Sequence, residues 1–474
     1  MYFPSLISHS AELFRIMVKS PHSSDAVASD YLRSKKYIGS KERKFISGAA
    51  FAALRSKSQA EYIATAGNAA VPANSEPENS TEMKTILATV LAAGKFDVWK
   101  PESLLFPAAY ENGKYESPVA LCRCTLCLRL GFSPENAEKW TDAALLAVNR
   151  LFSVSENADS SSAVSSELAA AVAMPAWILE NWAKNLGVAA AVRRAKAMLS
   201  AAPVGLRVNS LVAVREVVAA ELTRMGAATR LSQISPDCIL LDDRVNLTKT
   251  SLFTCGAFEV QDEGSQLIAY AAAPSANDTI LDACAGAGGK ALHLAALQRD
   301  AGRMVCSDSD IRRLRPIASR AARCGVRSIE INARYAHGET VNEYFDTVVV
   351  DAPCSGMGTI RRAPTIKWRL TAESLKKISR KQGEILRHYS RYVREGGILI
   401  YATCSLMTEE NEAVVKDFLA ENPEFAPDDI TVAFAKNGVK IASLNYGDFF
   451  CSLSPDTHGT DGFFMARFIR RGTA

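Results

Sequence analysis

Hydrophobic and polar positions change their spacing along the chain. Apolar residues recur every three or four positions from about residue 10 to residue 153, which is the spacing of one face of a helix. The stretches AVPANSEPENS (70–80) and SENADSSSAVSS (155–166) are polar and predict loops or a linker. The helical pattern resumes in SELAAAVAMPAWILENWAKNLG (166–187), where Pro175 marks a boundary between two helices. The first third of the chain is therefore predicted to be all-helical.

Strand-like and helix-like patterns alternate in the rest of the chain. Two strand-like segments, GLRVN and CILLDD, flank the helix-like VAVREVVAAELTRMG (212–226), which predicts a small α/β module. From about residue 256, short apolar strands alternate with helical spans. These strands are TILDA (279–283), RMVCSD (303–308), DTVVVDA (346–352) and GILIYATCS (397–405). Such alternation predicts an α/β fold with a parallel, doubly wound sheet.

Length and composition limit the class of protein. The chain has 474 residues, of which 48% are hydrophobic and 22% charged, as in soluble globular proteins of two to four domains. We divide it into a helical part (1–165), linker helices with the small α/β module (166–255) and the doubly wound domain (256–474). No secretory leader and no bilayer-spanning apolar stretch is recognised, so we expect a cytoplasmic protein. The odd number of cysteines, 11, predicts reduced thiols.

A glycine-rich turn is the first candidate for chemistry. LDACAGAGGK (281–290) follows a predicted strand and opens a helix, so Gly286, Gly288 and Gly289 let the backbone approach a ligand beside unpaired N–H donors. The spacing matches neither the nicotinamide fingerprint nor a P-loop. Asp308 ends the next strand, where a carboxylate can accept ribose hydroxyl protons or simply cap the following helix. The two features predict a nucleoside site.

Two cysteines follow predicted strands at the same edge of the sheet. DAPCSGMG (351–358) brings Asp351 and Cys354 to one strand end, and YATCSL (401–406) brings Cys404 to another. A single buried cysteine is usually a small core side chain. Two thiols, each followed by Ser at the ligand-binding edge of an α/β sheet, are better candidates for chemistry. Their spacing does not rank one above the other.

Methylation at C5 of cytosine needs this set of groups. C5 is too weak a nucleophile to attack a sulfonium methyl group, so an enzyme first adds a nucleophile at C6, for which a thiolate is suited. Asp351 can hydrogen-bond the base edge at N3 and N4 and stabilise the adduct. A second thiol near the first can assist release of the enzyme. The residues therefore indicate thiolate-dependent methylation of a base.

The motifs together resemble the Sun and nucleolar-protein family of RNA cytosine-C5 methyltransferases. The similarity is carried by LDACAGAGGK, DAPCSGMG, IRRAPTIKW, YATCS and DGFFMARF, continues upstream through GLRVN and EVQDEGSQL, and covers about residues 165 to 470. The N-terminal third is more weakly similar to the NusB-like helical domain of the bacterial Sun/Fmu subgroup, which modifies small-subunit ribosomal RNA. The resemblance implies a Rossmann-like, S-adenosylmethionine-dependent methyltransferase domain.

The resemblance also assigns roles to individual residues. It implies that Cys404 attacks C6, Cys354 helps to eliminate the product and Asp351 binds the cytosine edge, with Lys290 close to the reacting groups. The residues implied in binding S-adenosylmethionine are Cys284, Ala285, Gly286, Ala287, Gly288, Gly289, Lys290, Asp308, Asn332 and Asp351. Those implied in binding RNA are Arg207, Asn209, Arg361, Arg362, Lys367 and Trp368. DNA cytosine methyltransferases use the thiol of the PC motif, so the thiol of TCS favours RNA.

Three positions depart from the family pattern. Ala287 and Ala291 stand where Pro and Thr are usual, which changes loop stiffness and removes one hydroxyl but leaves the glycines intact. Asn332 stands where an acidic residue usually lies near the adenine. An amide keeps an acceptor oxygen and adds a donor, so we expect the cofactor still to bind.

A basic run follows the Cys354 loop. Between Arg361 and Arg394 the only acidic residues are Glu373 and Glu384. A charge run usually just faces water, but this one begins beside the catalytic loop and includes Trp368, so it is placed to hold phosphates and stack a base. The target cytosine must be unstacked to reach the thiol.

We expect a monomeric enzyme that forms 5-methylcytosine in 16S ribosomal RNA and needs no metal. The three cysteines of CxCxxC (122–127) suggest zinc, but no fourth ligand is near and the setting is typical of a core helix. One alternative is the same chemistry on tRNA or DNA. Another is a catalytically idle RNA-binding assembly factor, although such a protein has no need of both thiols and Asp351.

Overall fold

The computed structural model of the chain describes residues 3–71, 80–93, 118–158, 163–242, 246–336, 343–441 and 449–472. The chain divides into two compact units. The first comprises Met1–Ala201 with Ile360–Arg369, and the second comprises Ala202–Thr359 with Leu370–Ala474. The domain boundaries predicted at residues 165 and 255 stay predictions. Among the described helices, none combines the length and the apolar character that a bilayer crossing requires.

The first unit is helical, as the apolar spacing predicted. Its helices up to residue 201 are α1 (Phe3–Lys19), α2 (Ser24–Ser34), α3 (Ser40–Arg55), α4 (Lys57–Ala69), α5 (Ser80–Ala92), α6 (Pro118–Leu130), α7 (Pro134–Glu156), α8 (Ser166–Ala171), α9 (Ala176–Leu186) and α10 (Val188–Ala197). Ser23 and Ser133 cap α2 and α7 by accepting a backbone N–H three residues ahead. Pro175 immediately precedes α9, where the sequence placed a helix boundary.

One continuous hydrophobic core holds helices α1 to α8 together. Trp140 of α7 is fully buried, and its indole N–H donates to Asn68 of α4 over 3.0 Å. Gly67 makes this contact possible, because a Cβ there would lie 2.6 Å from the Trp140 ring. Cys122 is buried on α6, and no group of three or more His, Cys, Asp or Glu residues is placed to hold a metal ion anywhere in the described ranges.

The second unit contains a small antiparallel sheet. Its strands are β1 (Val204–Val208), β2 (Thr229–Leu231), β3 (Cys238–Leu241) and β4 (Phe258–Val260), in the order β2-β3-β1-β4. The helices α11 (Arg215–Arg224) and α12 (Ser251–Thr254) lie between its strands in sequence. Leu206 and Phe258 of the sheet pack with Val218 and Leu222 of α11 in a separate small core. This is the α/β module that the sequence predicted.

The same unit contains a larger, mixed sheet. Its strands are β5 (Thr279–Asp282), β6 (Arg303–Cys306), β7 (Ile329–Ile331), β8 (Phe345–Asp351), β9 (Val393–Thr403), β10 (Phe425–Pro427), β11 (Phe450–Leu453) and β12 (Phe463–Arg470). The order is β10-β12-β9-β8-β5-β6-β7, with β11 paired to β12. Its further helices are α13 (Glu263–Ala272), α14 (Gly289–Leu297), α15 (Ile311–Leu314), α16 (Ile317–Cys324), α18 (Ala372–Ser390), α19 (Glu412–Glu421), α20 (Ile430–Lys436) and α21 (Pro455–His458). Helix α17 (Thr365–Arg369) belongs to the first unit.

Strands β5 to β9 pair in parallel, which confirms the predicted Rossmann-like core. Strand β12 runs antiparallel to β9, and β10 and β11 pair antiparallel to β12. The alternation of strands and helices did not predict this part, because an antiparallel neighbour needs no helical crossover. The carboxyl ends of β5, β6, β8 and β9 meet at one edge of the sheet, where an open α/β sheet binds its ligands.

Candidate active site

The two predicted thiols lie side by side at the edge of the large sheet. Strand β8 ends at Asp351 and β9 at Thr403, and their parallel register pairs Asp351 with Ala402. The loops that follow bring Cys354 Sγ and Cys404 Sγ to 3.2 Å. A disulfide bond is only about 2.05 Å long, and both residues are free, partly buried thiols. The structure therefore brings together the two cysteines that sequence spacing could not rank.

Close backbone packing holds the two loops. The N–H of Gly358 donates to the carbonyl of Cys404 over 2.9 Å, and the N–H of Gly462 donates to the carbonyl of Gly358 over 2.8 Å. A Cβ at Gly358 would overlap the Gly462 carbonyl, so only glycine fits there. The DAPCSGMG and DGFFMARF motifs thus meet at one place, which explains why both belong to the pattern.

Cys354 is electrostatically different from an ordinary cysteine. The hydrogen bond with Cys404, burial and the nearby Glu410 and Asp351 carboxylates raise the pKa of Cys354 well above its usual value. Cys354 is therefore a neutral thiol at physiological pH and can donate its proton to the adjacent sulfur of Cys404.

A partly buried ion pair lies beside the thiols. Lys290, in the first turn of α14, donates to Asp351 Oδ2 over 2.5 Å. Burial lowers the pKa of Lys290, but the Asp351 and Asp282 carboxylates outweigh it and raise the pKa above its usual value. Cys404 contributes in the same direction, so its side chain lies near the Lys290 ammonium. The predicted role of Lys290 beside the reacting groups stays a prediction.

Asp282 is a candidate residue that the sequence reasoning did not single out. It is the last residue of β5 and is fully buried, and burial raises its pKa to about 7. Perturbed carboxylates at the ligand edge of a sheet are typical of functional sites. Its position directly before ACAGAGGK was the available signal.

A cavity of about 340 Å³ lies next to the thiol loops. Its lining includes Cys284, Asp308, Ser309, Arg313, Pro353, Lys381, His388 and Tyr389. Gly286 and Gly288 of the adjoining loop have φ values of 51° and 80°, a region that favours glycine. A Cβ at Gly288 would lie 2.9 Å from Ile317 Cγ1, so the loop is closely packed. These features fit the nucleoside part of S-adenosylmethionine.

Asp308 connects the cavity with the glycine loop. Its side chain is 2% exposed, and its two oxygens accept the N–H groups of Gly286 over 3.0 Å and Asp310 over 2.9 Å. The carboxylate therefore does part of what each sequence-based interpretation proposed: it shapes the turn before α15 and it lines the cavity. Two oxygens offer about four acceptor sites, so capacity for ribose hydroxyls is left.

Three other residues implied in cofactor binding, Ala285, Ala287 and Asn332, are not among the residues that line the cavity. Ala285 and Ala287 belong to the glycine loop, and the N–H of Ala285 donates to the carbonyl of Ser307 over 2.9 Å. Asn332 follows β7 and accepts the N–H of Arg334 over 3.2 Å, but it is not among the residues that line this cavity. Its predicted contact with adenine stays a prediction.

Arg207 and Asn209 are used inside the second unit. Arg207 is 2% exposed and donates to the carbonyl of Gly289, the first residue of α14. Asn209 is also 2% exposed, and its amide donates to the carbonyls of Gly256 and Cys324. In this packing neither side chain offers a group to phosphate. Their predicted RNA contact stays untested, and we leave it out of the proposed RNA surface.

A neighbouring helix also supports the glycine loop by hydrogen bonds. Arg320 of α16 donates to the carbonyl of Ala287 and, over 2.7 Å, to Glu259 of β4. The small sheet thus supports the loop through Arg207 and through Glu259.

The IRRAPTIKW segment belongs to the first unit. Lys367 is 2% exposed and donates to the carbonyls of Arg55, over 2.7 Å, and Ala173. Trp368 donates to the carbonyl of Leu54 over 2.6 Å. Arg361 is buried and Arg362 partly buried. The RNA contacts predicted for these four residues stay predictions, since Lys367 and Trp368 use their donors inside the helical unit.

The later part of the basic run is exposed on α18. Leu375, Leu386 and Tyr389 form the buried face of this helix. The basic residues on its solvent face are Lys376, Lys377, Arg380, Lys381 and Arg387. Lys381 also lines the cavity beside Asp308, so cationic surface continues to the site.

Two family models match successive parts of the chain. Residues 174–248 match an RsmF/B-like ferredoxin-like domain, and residues 269–469 match the model described as 16S rRNA methyltransferase RsmB/F. The probable ribosomal RNA small subunit methyltransferase B of Bacillus subtilis (strain 168) is 33% identical over 309 residues, which cover 64% of this chain and 68% of that protein.

Two solved structures resemble the fold. The crystal structure of PH0851 covers 98% of this chain and 99% of its own, with a TM-score of 0.69 and 22% identity, and so supports the fold alone. The methyltransferase homolog protein from Pyrococcus horikoshii is 27% identical, with a TM-score of 0.53, over 64% of this chain and 96% of its own. The fold is thus shared with these solved structures.

Proposed function

Because this chain belongs to the RsmB/F family of 16S rRNA methyltransferases, we propose that it methylates C5 of a cytosine in 16S rRNA through a covalent bond between Cys404 and C6. The observation that carries the proposal is the pair of free thiols 3.2 Å apart beside the Lys290–Asp351 ion pair. A methyltransferase acting on a nucleophilic nitrogen or oxygen needs neither thiol. Cytosine C5 needs one thiol for attack, and the second has a use in release.

In the first step, Cys404 Sγ forms a bond to C6 and the electron pair of the C5–C6 double bond moves toward C5. Lys290 holds a positive charge near Cys404. Asp351, held by its bond from Lys290, accepts a hydrogen bond from the N4 amino group of the cytosine. S-adenosylmethionine, when bound, supplies the electrophilic methyl group on its sulfonium.

The cofactor's place follows from the cavity. Asp308 would accept the ribose hydroxyls, and the loop from Cys284 to Gly289 would lie against the rest of the molecule beside the start of α14. Pro353 also lines this cavity, so a cofactor bound there would lie next to the Cys354 loop.

In the last step the C5 proton passes to water, the C5–C6 double bond forms again and the bond between Cys404 Sγ and C6 breaks. Cys354 holds its proton and lies against the departing sulfur, so it stabilises the Cys404 thiolate by a hydrogen bond. The exposed cations of α18 hold phosphates of the RNA near the site.

The proposal is tested with purified protein, labelled S-adenosylmethionine and unmodified 16S rRNA. We expect one methylated cytosine, no product with Cys404→Ala, and a covalent protein–RNA adduct that accumulates with Cys354→Ala and resists denaturing electrophoresis. Cys451→Ala, which changes a buried cysteine of β11, serves as the control. Full activity of Cys404→Ala would exclude the mechanism, and labelling of tRNA but not 16S rRNA would exclude the substrate.

A further inference from the structure

Glu410 lies between the two thiol loops and belongs to neither. It ends a short 3-10 turn (Thr408–Glu410) that follows the Cys404 loop, and its side chain is fully buried. Burial of a carboxylate is unfavourable unless its oxygens are hydrogen-bonded. Both oxygens are bonded here, and their partners are the serines that follow the two cysteines.

The Cys354 loop donates to Glu410 twice. The backbone N–H of Ser355 donates to Oε1 over 2.7 Å, and the Ser355 hydroxyl donates to Oε2. Gln382 of α18 adds a further bond to Oε1 over 3.1 Å and also donates to the carbonyl of Pro353 over 3.0 Å. The Cys354 loop is therefore held on both sides of its thiol.

The Cys404 loop donates to Glu410 Oε2, the oxygen that also accepts the Ser355 hydroxyl. The hydroxyl of Ser405 donates to Glu410 Oε2 and lies 3.3 Å from the hydroxyl of Ser355. Ser405 also accepts the N–H of Met407 over 3.1 Å, which fixes its side chain. One carboxylate thus receives four donors, which uses its full acceptor capacity.

We propose that Glu410 is the positioning residue that sets the distance between the Cys354 and Cys404 thiols and so permits release of the methylated base. Each serine directly follows a cysteine, so bonds that fix the serine also restrain the backbone from which the adjacent sulfur projects. Charge-assisted bonds are about twice as strong as neutral ones, and together they resist separation of the loops when a base enters between them.

The charge of Glu410 acts in the same direction. Its carboxylate contributes to the raised pKa of Cys354, which keeps the proton on the thiol that assists release. The role rests on the proposed function, because only an enzyme that forms and breaks a Cys404 adduct needs this spacing. The hydrogen-bond geometry itself does not depend on any substrate.

The first test measures turnover and the adduct. For Glu410→Ala we expect kcat to fall by roughly 10- to 100-fold, as for a displacement of about 1 Å, with adduct accumulation as in Cys354→Ala. The KM for S-adenosylmethionine should stay within about twofold, because Glu410 is not among the residues lining the cofactor cavity. Glu410→Gln keeps the size and neutral hydrogen bonds, so it should lose less activity.

The control is Glu421→Gln, which removes one charge from the exposed end of α19 and should leave every parameter unchanged. Thermal unfolding of each variant separates loss of fold from loss of alignment. If Glu410→Ala fails to fold, the double variant Ser355→Ala with Ser405→Ala replaces it. The proposal would be overturned if a folded Glu410→Ala or double-serine variant kept the kcat of the wild type and accumulated no protein–RNA adduct.

A second measurement needs no activity. Diamide oxidises two adjacent thiols to a disulfide, and mass spectrometry of peptides detects the Cys354–Cys404 link. Loss of the Glu410 bonds should slow this link about tenfold in Glu410→Ala relative to wild type and Glu421→Gln. An unchanged rate would overturn the positioning role. If the link forms more slowly in Glu410→Ala but the wild-type protein methylates no RNA, the proposed function is overturned and the positioning role is kept.

Discussion

Asp308 has two sequence-based interpretations, a ribose contact and a cap for the following helix. In the structure the cap of α15 is Asp310, whose side chain accepts the N–H of Arg312. The oxygens of Asp308 accept the N–H groups of Gly286 and Asp310, and the same carboxylate lines the cavity. Asp308 therefore shapes the turn before the helix, and its ribose contact stays a prediction.

We therefore predict that Asp308→Ala raises the Kd for S-adenosylmethionine by roughly 10- to 100-fold, as for the loss of about 1.5–3 kcal/mol of charged hydrogen bonds. Isothermal titration calorimetry with the cofactor measures this. Asp310→Ala, which removes the exposed neighbouring carboxylate at the start of α15, is the matched control. Equal Kd values for the two variants would show that Asp308 does not contact the cofactor.

The thiols show what residue identity can and cannot predict. Cys354 and Cys404 were identified as candidates because each follows an apolar strand and precedes Ser. Their ranking came from the family resemblance, and their separation of 3.2 Å came from the structure. Glu410 was not found at all from the sequence, because nothing in TEENE distinguishes the one carboxylate that points inward.

Helix α14 carries a buried histidine that connects the two sheets of the second unit. His293 is 1% exposed, its Nε2 lies 3.4 Å from Asp237 Oδ2, and its ring meets Tyr270 edge-on at 4.8 Å. Burial lowers the pKa of His293 to about 4, although Asp237 opposes the shift. The folded protein therefore keeps this imidazole neutral at a pH where the unfolded chain protonates it.

This pKa predicts an acid-sensitive unit. Between about pH 6.5 and pH 4 the unfolded state binds more protons at this site than the folded state, so the free energy of unfolding falls as the pH falls. From pH 7.5 to pH 5 we expect a loss of about 2 kcal/mol from this residue. Urea unfolding at both pH values measures it. His293→Gln should lose less stability over this interval, and an equal loss in both proteins would contradict the assignment.

The GLRVN segment forms a strand of the small sheet, as its sequence predicts. The RNA contacts that the family resemblance implies for Arg207 and Asn209 stay predictions. Strand β1 lies inside its sheet, between β3 and β4, and places Arg207 at the carbonyl of Gly289. The direction in which a side chain points from a strand depends on the register with its neighbours, which the isolated segment does not contain.

On the scale of the whole chain, a segment of ten residues crosses from one unit to the other. Ile360–Arg369 follows the catalytic loop in sequence but packs with the helical unit. Lys367 reaches two backbone carbonyls there, at the last residue of α3 and after α8. Burial lowers its pKa to about 7, and its amino group can donate to these carbonyls in either protonation state.

We predict that Lys367→Met lowers the Tm by several degrees, because two buried carbonyls lose their donor at about 1–3 kcal/mol each. Differential scanning calorimetry measures the change. Lys377→Met, at an exposed position on α18, should leave the Tm nearly unchanged. If Lys367→Met instead weakens RNA binding at an unchanged Tm, the RNA contact predicted from the sequence is right and the structural role is wrong.

The sequence by itself determined the class of fold and the candidate chemistry. Period-3.6 and strand-like patterns are local, so they identified the helical part, the small module and the parallel strands. The ligand edge followed from the rule that parallel strands end on the same side. Cys354, Cys404, Asp351 and Lys290 were therefore recognisable from short motifs.

Only the tertiary structure decided which charged groups serve the site and which serve the fold. Arg207, Lys367 and Glu410 each find their partners far along the chain or on another loop. A motif shows that a charge is present, but the partner that neutralises or hydrogen-bonds it is set by packing. The free energy of a buried charge depends on that partner, and so does its function.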